Sequence, residues 1–193
     1  MDANPLVSVD TKTANKLAWN GSWTSGQVAS LILLLVICAV LVWNAYHPQD
    51  IYLGDLSFET LVGDKYEPRK DTSVLGKTLQ IHTTYYPKGV GTHANSEIHT
   101  RFIPEGYSFF AAEIGVDAEV GPNSPASVIF SVYAGGADGT LLYESPVLRA
   151  GMPPRLVYVP VRGRRSLTLV VRDAGDGNEA DHADWAMARF IAR

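Results

Sequence analysis

One cysteine in 193 residues, Cys38, excludes an intramolecular disulfide. Because Cys38 lies inside an apolar run, thiol chemistry is also removed from the rest of the chain. An excess of one charge is missing too: 16 Lys and Arg against 20 Asp and Glu give a net charge of −4 without long blocks. The basic surface that nucleic acid requires is therefore not there. The chain has no Gly-x-Ser-x-Gly elbow, no phosphate loop and no His-Glu-x-x-His helix, and its carboxylates cluster in turns, which argues against an enzyme. Apart from one continuous apolar run, no segment repeats hydrophobic residues at helical spacing. The length suits one globular domain beside that run and leaves no room for a second.

The run is VASLILLLVICAVLVW, residues 28–43, free of charge. Trp23 and Trp43 are twenty positions apart, which is about 30 Å along a helix and matches a hydrocarbon core with an aromatic at each interface. A cleaved signal peptide would have a shorter lead and a small-x-small site after the run, and a lipoprotein would have a small residue in place of Ile37. The expected division is a polar tail over 1–27, a transmembrane helix over 28–46, a linker over 47–50 and a domain over 51–193. Trp19, Trp23, Trp43 and Tyr46 are the residues expected to meet membrane lipids or other membrane subunits. Lys12 and Lys16 precede the span and the next basic residue is Lys65. This bias predicts a single-pass protein of a bacterial inner membrane, N-terminus cytoplasmic and domain periplasmic or extracellular. A span without ionisable residues offers no haem ligand and no proton relay.

Beyond Pro48 the chain reads as β. Expected strands are 51–56, 79–85, 98–102, 108–116, 127–134, 141–145, 156–161, 167–172 and 186–192, with a long loop over 63–76. Phe110, Ala112, Ile114 and Val116 share one face of their run, as do Val128, Phe130 and Val132. Eight or nine strands without an amphipathic helix predict a two-sheet sandwich.

Five segments carry a more specific signal: Tyr86–Ile98, Phe110–Gly121, Ser127–Tyr133, Leu141–Val147, and Leu169–Gly177 leading into Asp181–Arg189. In order and spacing they resemble the NPCBM family, the "novel putative carbohydrate-binding module", over essentially all of residues 51–193. The resemblance implies an all-β, galactose-binding-like jelly roll of two antiparallel sheets. It also implies kinship with modules that bind galactose-containing glycans and often hold a structural calcium.

Read on their own, most of these motif residues look structural. His93, between small residues ahead of a strand, is expected to be a hydrogen-bonded core histidine, and Asp117 and Glu119 to cap a turn. Alternation puts Glu97 and His99 on the face opposite Ile98. Asp173, Asp176, Asp181 and Asp184 could offer oxygen ligands to calcium, although most of them would only pin their loop. Asp184 with Asp55 is the expected pair, since the last strand of such a fold runs beside the first. Trp185 belongs in the core. Tyr66, Tyr85, Tyr86 and Tyr107 are the loop aromatics; Tyr66, Tyr86 and Tyr107, with Asn123, are the expected sugar-facing residues.

Two readings follow, neither catalytic. In the first, the sandwich is an interaction or bracing subunit of a larger membrane complex, photosynthetic or respiratory; a sugar module usually accompanies a catalytic domain, and here the sandwich follows a membrane helix. The alternative is a membrane-anchored carbohydrate-binding module for galactose-containing glycans. The expected cofactor is none or a structural calcium.

Overall fold

The computed structural model describes residues 23–46, 49–63 and 66–192, in two compact units that part between Tyr46 and His47. In the first unit a single helix, α1, spans Ser25–Tyr46, beginning before the apolar run. The early start has a local cause. The Thr24 Oγ1 accepts from Gln27 N at 3.2 Å while the Gln27 Oε1 accepts from Thr24 N at 2.9 Å, a reciprocal cap that satisfies two amides at the helix start. Twenty-two residues reach about 33 Å, long and apolar enough to cross a membrane. Trp23, Trp43 and Tyr46 are exposed, while Trp19 lies outside the described residues.

The second unit is built from short strands: β1 (Ile51–Tyr52), β2 (Phe58–Gly63), β3 (Arg69–Lys70), β4 (Leu79–Ile81), β5 (Thr84–Tyr86), β6 (Gly89–His93) and β7 (Ser96–Thr100). After these come β8 (Phe109–Val116), β9 (Ser127–Ala134), β10 (Thr140–Glu144), β11 (Leu148–Arg149), β12 (Arg155–Pro160), β13 (Leu167–Asp173) and β14 (His182–Ile191). Twelve of them form two six-stranded antiparallel sheets, and β4 and β5 pair with each other. One runs β12-β8-β14-β6-β3 with β1 also on β14; the other runs β10-β9-β13-β7-β2 with β11 also on β9. The expected two-sheet sandwich is thus the observed fold.

Alternation decides what each strand buries. Phe110, Ala112, Ile114 and Val116 turn inward, as do Val128, Phe130 and Val132, all within the central core cluster. Trp185 joins them with no exposed surface and stands edge-on to Phe130, ring centroids 4.9 Å apart at 86°, so the middle strand of one sheet grips the other sheet.

The outer face of β14 is also covered. The expected single strand over 79–85 is a hairpin, β4 and β5, reversing at His82 with φ 54°. This hairpin lays Leu79, Ile81 and Tyr86 over Ala186 as a second, smaller core. Two glycines permit the close approach of the hairpin and of the segment at Thr72 and Ser73. Gly91 and Gly115 flank Asp184 in register; a Cβ on Gly115 would collide with Ile81, and one on Gly91 would sit 2.5 Å from Thr72 O. Elsewhere the expected first strand gives way after Tyr52 to a short 3-10 turn over Leu53–Asp55, β3 falls in the expected long loop, and β2 and β6 lie where no strand was expected.

The sandwich has two ends. At its base the chain enters at Ile51, paired with Phe190, beside the loop 101–108 and the turn 161–166; Ser108 N donates to Ile191 O, Val161 N to Ser108 O and Ile103 N to Arg165 O. At its crown lie the segment 117–126 and the loop 174–181, where Ala174 N donates to Ser127 O.

Replacing Trp185 by Ala removes the contact between the sheets and leaves a large cavity, so stability measured by denaturant titration should fall by about 3–5 kcal/mol. Trp185→Phe keeps the ring and discards the indole N–H, which has no partner in the core, and should cost less than about 1.5 kcal/mol.

Candidate functional site

Asp184 occupies the centre of β14, next in sequence to Trp185 but on the opposite face. It has no exposed surface, and no donor reaches either carboxylate oxygen among the described residues. Its neighbour is Asp117, whose own oxygens accept from Glu119 N at 2.7 Å and Gln80 N at 3.4 Å. Burial first, then the charge of Asp117, push the Asp184 carboxyl well above the usual carboxylate range. Two carboxyls this close repel when both are charged, and that repulsion adds to the effect of burial. Burial raises Asp117 as well, against the hydrogen bonds that favour its charge.

Beside this pair, Glu119 is held on both oxygens. Ser73 Oγ donates to one at 2.8 Å, and His182 Nδ1 lies 2.8 Å from the other. The His182 ring meets His93 at 5.5 Å and Tyr66 at 5.9 Å between centroids, and Tyr66 also leans on His93 at 5.3 Å. His93 is buried, with Nδ1 against the Ala94 carbonyl, as expected of a core histidine. Asp117 caps the short turn that follows it, also as expected.

The other aspartates pin the crown. Asp173 Oδ1 accepts from Gly175 N, Asp176 accepts from Ser127 Oγ at 2.7 and 2.9 Å, and Asp181 Oδ1 accepts from Ser127 N at 2.8 Å. Burial, with Asp176 and Asp173 adding repulsion, raises the Asp181 carboxyl to about 6.

Asp55 does not join Asp184. It is exposed and binds Lys88 at 2.6 Å, which also reaches Asp71 at 3.0 Å. β1 does run beside β14, but along its far end, at Phe190 and Arg189, while Gly91 of β6 takes the place beside Asp184. Among the described residues no group of three or more His, Cys, Asp or Glu side chains is arranged to hold a metal.

The four expected sugar-facing residues do not converge. Tyr86 is buried under the hairpin, its hydroxyl donating to Glu113 at 2.6 Å, and burial drives that hydroxyl far above its ordinary range. Tyr107 sits at the base, its hydroxyl donating to Gln49 O at 2.6 Å. Tyr66 packs on the two histidines, and Asn123 stands exposed in the crown turn. The neighbour of Tyr86 behaves differently. Tyr85 is 66% exposed and walls a cleft of about 340 Å³ with Lys77, Thr78 and Gln80, over a floor of Asp117 and Glu119. Only the phase of the hairpin decides which of the two tyrosines faces out.

A pH profile tests the buried acids. A carboxyl whose folded value lies above its unfolded one contributes most below the unfolded value, and that contribution is lost as pH rises through the folded one. For Asp181 the loss falls between about pH 4 and 6; for Asp184 it begins near pH 4 and continues higher. Asp184→Asn, which stays neutral at every pH, should therefore melt at least about 5 °C above wild type at pH 8, the gap closing towards pH 4. Parallel melting curves across that range would refute the raised Asp184 carboxyl.

The comparisons with known proteins agree with this architecture. A family profile described as NPCBM/NEW2 domain matches residues 49–191. The CBM51 module of a Clostridium perfringens GH95 protein, solved in complex with methyl-galactose, is 31% identical with TM-score 0.68; the match covers 74% of this chain and 100% of that one. CBM51-2 of Clostridium perfringens ZmpB, solved with GlcNAc, is 36% identical with TM-score 0.67, covering 74% and 31%. A putative endo-alpha-N-acetylgalactosaminidase of Renibacterium salmoninarum is 35% identical over 116 residues, 60% of this chain; the chain spans only 7% of that enzyme's length. With its profile match over the whole sandwich and a relative matched along its full length, the chain belongs to the NPCBM/NEW2 domain family.

Proposed function

We propose that this protein is a membrane-tethered, non-catalytic carbohydrate-binding module for galactose-containing glycans, and that the Tyr85 cleft is its sugar site. The observation that carries the site is the exposed Tyr85 ring beside groups able to bond hydroxyls. A pyranose presents an apolar C–H face and a rim of hydroxyls, so it needs a bare aromatic face with polar groups set around it. Gln80 Nε2 donates to His82 O at 3.0 Å, leaving the amide oxygen to accept from a hydroxyl. The Lys77 ammonium, 3.9 Å from Glu119 and largely exposed, can donate. The floor has no free acid and base for hydrolysis: both Asp117 oxygens take backbone amides, and Glu119 is held by Ser73 and His182.

Galactose is favoured as the ligand because the relative matched along its full length was captured with methyl-galactose. The bracing-subunit expectation has no comparable support: the family match favours the sugar-binding alternative. In this reading α1 anchors the module, with the N-terminus in the cytoplasm and the sandwich outside.

Full-length protein in detergent should bind galactose-terminated glycans on an array. Tyr85→Ala should weaken that binding by about tenfold, the worth of a stacked ring, while Tyr107→Ala at the base leaves it unchanged. Failure to bind any galactose-containing glycan would reject the function. Equal binding by wild type and Tyr85→Ala would move the site elsewhere.

A further inference from the structure

The base of the sandwich has a chemistry of its own. The turn 161–166 carries Arg162, Arg164 and Arg165, all exposed, and the loop beside it carries Phe102, 54% exposed, ahead of Ile103 and Pro104. Between loop and turn lies a cavity of about 380 Å³, lined by Ile103, Pro104 and Tyr107 on one side and by Arg162 and Arg164 on the other. Arg162 is aimed by Ser108, whose Oγ accepts from Nε at 3.1 Å and Nη2 at 2.9 Å. Among nearby acids, Glu59 is paired with Arg101 at 2.5 Å and Asp50 with Arg189 at 2.9 Å. Glu105 in the same loop and Asp138 in the adjoining loop are the other acids among the described residues at this end.

Chain length ties this end to a membrane surface if α1 spans one. The helix finishes on exposed Trp43 and Tyr46, side chains suited to the headgroup layer. Residues 47–50, at most roughly 14 Å when extended, then lead to Ile51 at the base. Guanidinium groups bond phosphate oxygens in pairs, and anionic headgroups attract basic residues lying within a Debye length.

We propose that the base is a binding surface for the phosphate headgroups of anionic phospholipids, with Arg162, Arg164 and Arg165 as the cationic contacts and Phe102 as the apolar one. The inference rests on the membrane-spanning reading of α1 and is independent of the sugar site. Docked in this way, the base faces the bilayer and the hairpin cleft stays open to glycan.

The test uses the full chain in lipid nanodiscs of phosphatidylcholine alone, or with a third of the lipid replaced by phosphatidylglycerol, and reads amide hydrogen exchange. Exchange in 101–108 and 161–166 should slow severalfold only in discs containing phosphatidylglycerol, while 174–181 is unchanged. High salt, or the exposed-site double substitution Arg164→Glu and Arg165→Glu, should abolish the slowing and leave galactose binding intact. Equal exchange in the two kinds of disc, or slowing that survives charge reversal, would overturn the proposal. A chain that does not enter discs at all would overturn the membrane reading and this proposal with it, while leaving the sugar site to its own test.

Discussion

The edge-on contact between Trp185 and Phe130 joins the two sheets, and much of the domain's order depends on the strand that supplies it. β14 lies between β8 and β6, with β1 along its far end, so its alternation is imposed on the whole sheet. Inward it contributes Ala183, Trp185, Ala188 and Phe190 to the central core. Outward it presents Asp184 and Ala186, which in an ordinary sandwich would meet water. Here the hairpin of β4 and β5 closes over them; Gly115 leaves room for its Ile81, and Gly91 leaves room for the segment at Thr72 and Ser73.

That covering buries a pair of acids on what would otherwise be a sheet surface. Burying a charged carboxyl without a donor is costly, and that cost, with the charge of Asp117 beside it, pushes the Asp184 carboxyl well above the usual range. Asp117 and Glu119 in turn form the floor of the cleft whose wall is Tyr85. The same hairpin therefore hides Tyr86, exposes Tyr85 and holds the acids beneath them. Rigid support below an exposed aromatic suits recognition, because little freedom is lost when a sugar docks.

The two ends of the sandwich divide the labour. Carboxylates pin the crown loops, as in the bonds of Asp176 and Asp181 to Ser127, while arginines crowd the base beside Ile51. Such polarity is consistent with a module held to a surface at one end and open to glycan beside the other.

The amino-acid sequence by itself determined the apolar helix, the all-β character of the rest and the family, because these depend on local hydrophobic pattern and on ordered motifs. Strands such as 127–134 were legible to the residue, and so were the core positions of Phe110, Phe130 and Trp185 and the capping role of Asp117. Thr24 and Gln27 spell a capping box that could have placed the helix start three residues earlier. What only the tertiary structure decided was which groups meet. Asp55 and Asp184 were paired on the expectation that the first and last strands adjoin; they do, but at the opposite end of β14, and Lys88 takes Asp55 instead. The reversal at His82 turns the expected single strand into a hairpin, so Tyr85 faces solvent while Tyr86, expected to face sugar, is buried. Register and hairpin phase depend on contacts between segments far apart in the chain, and those contacts are set by packing that no single stretch of sequence contains.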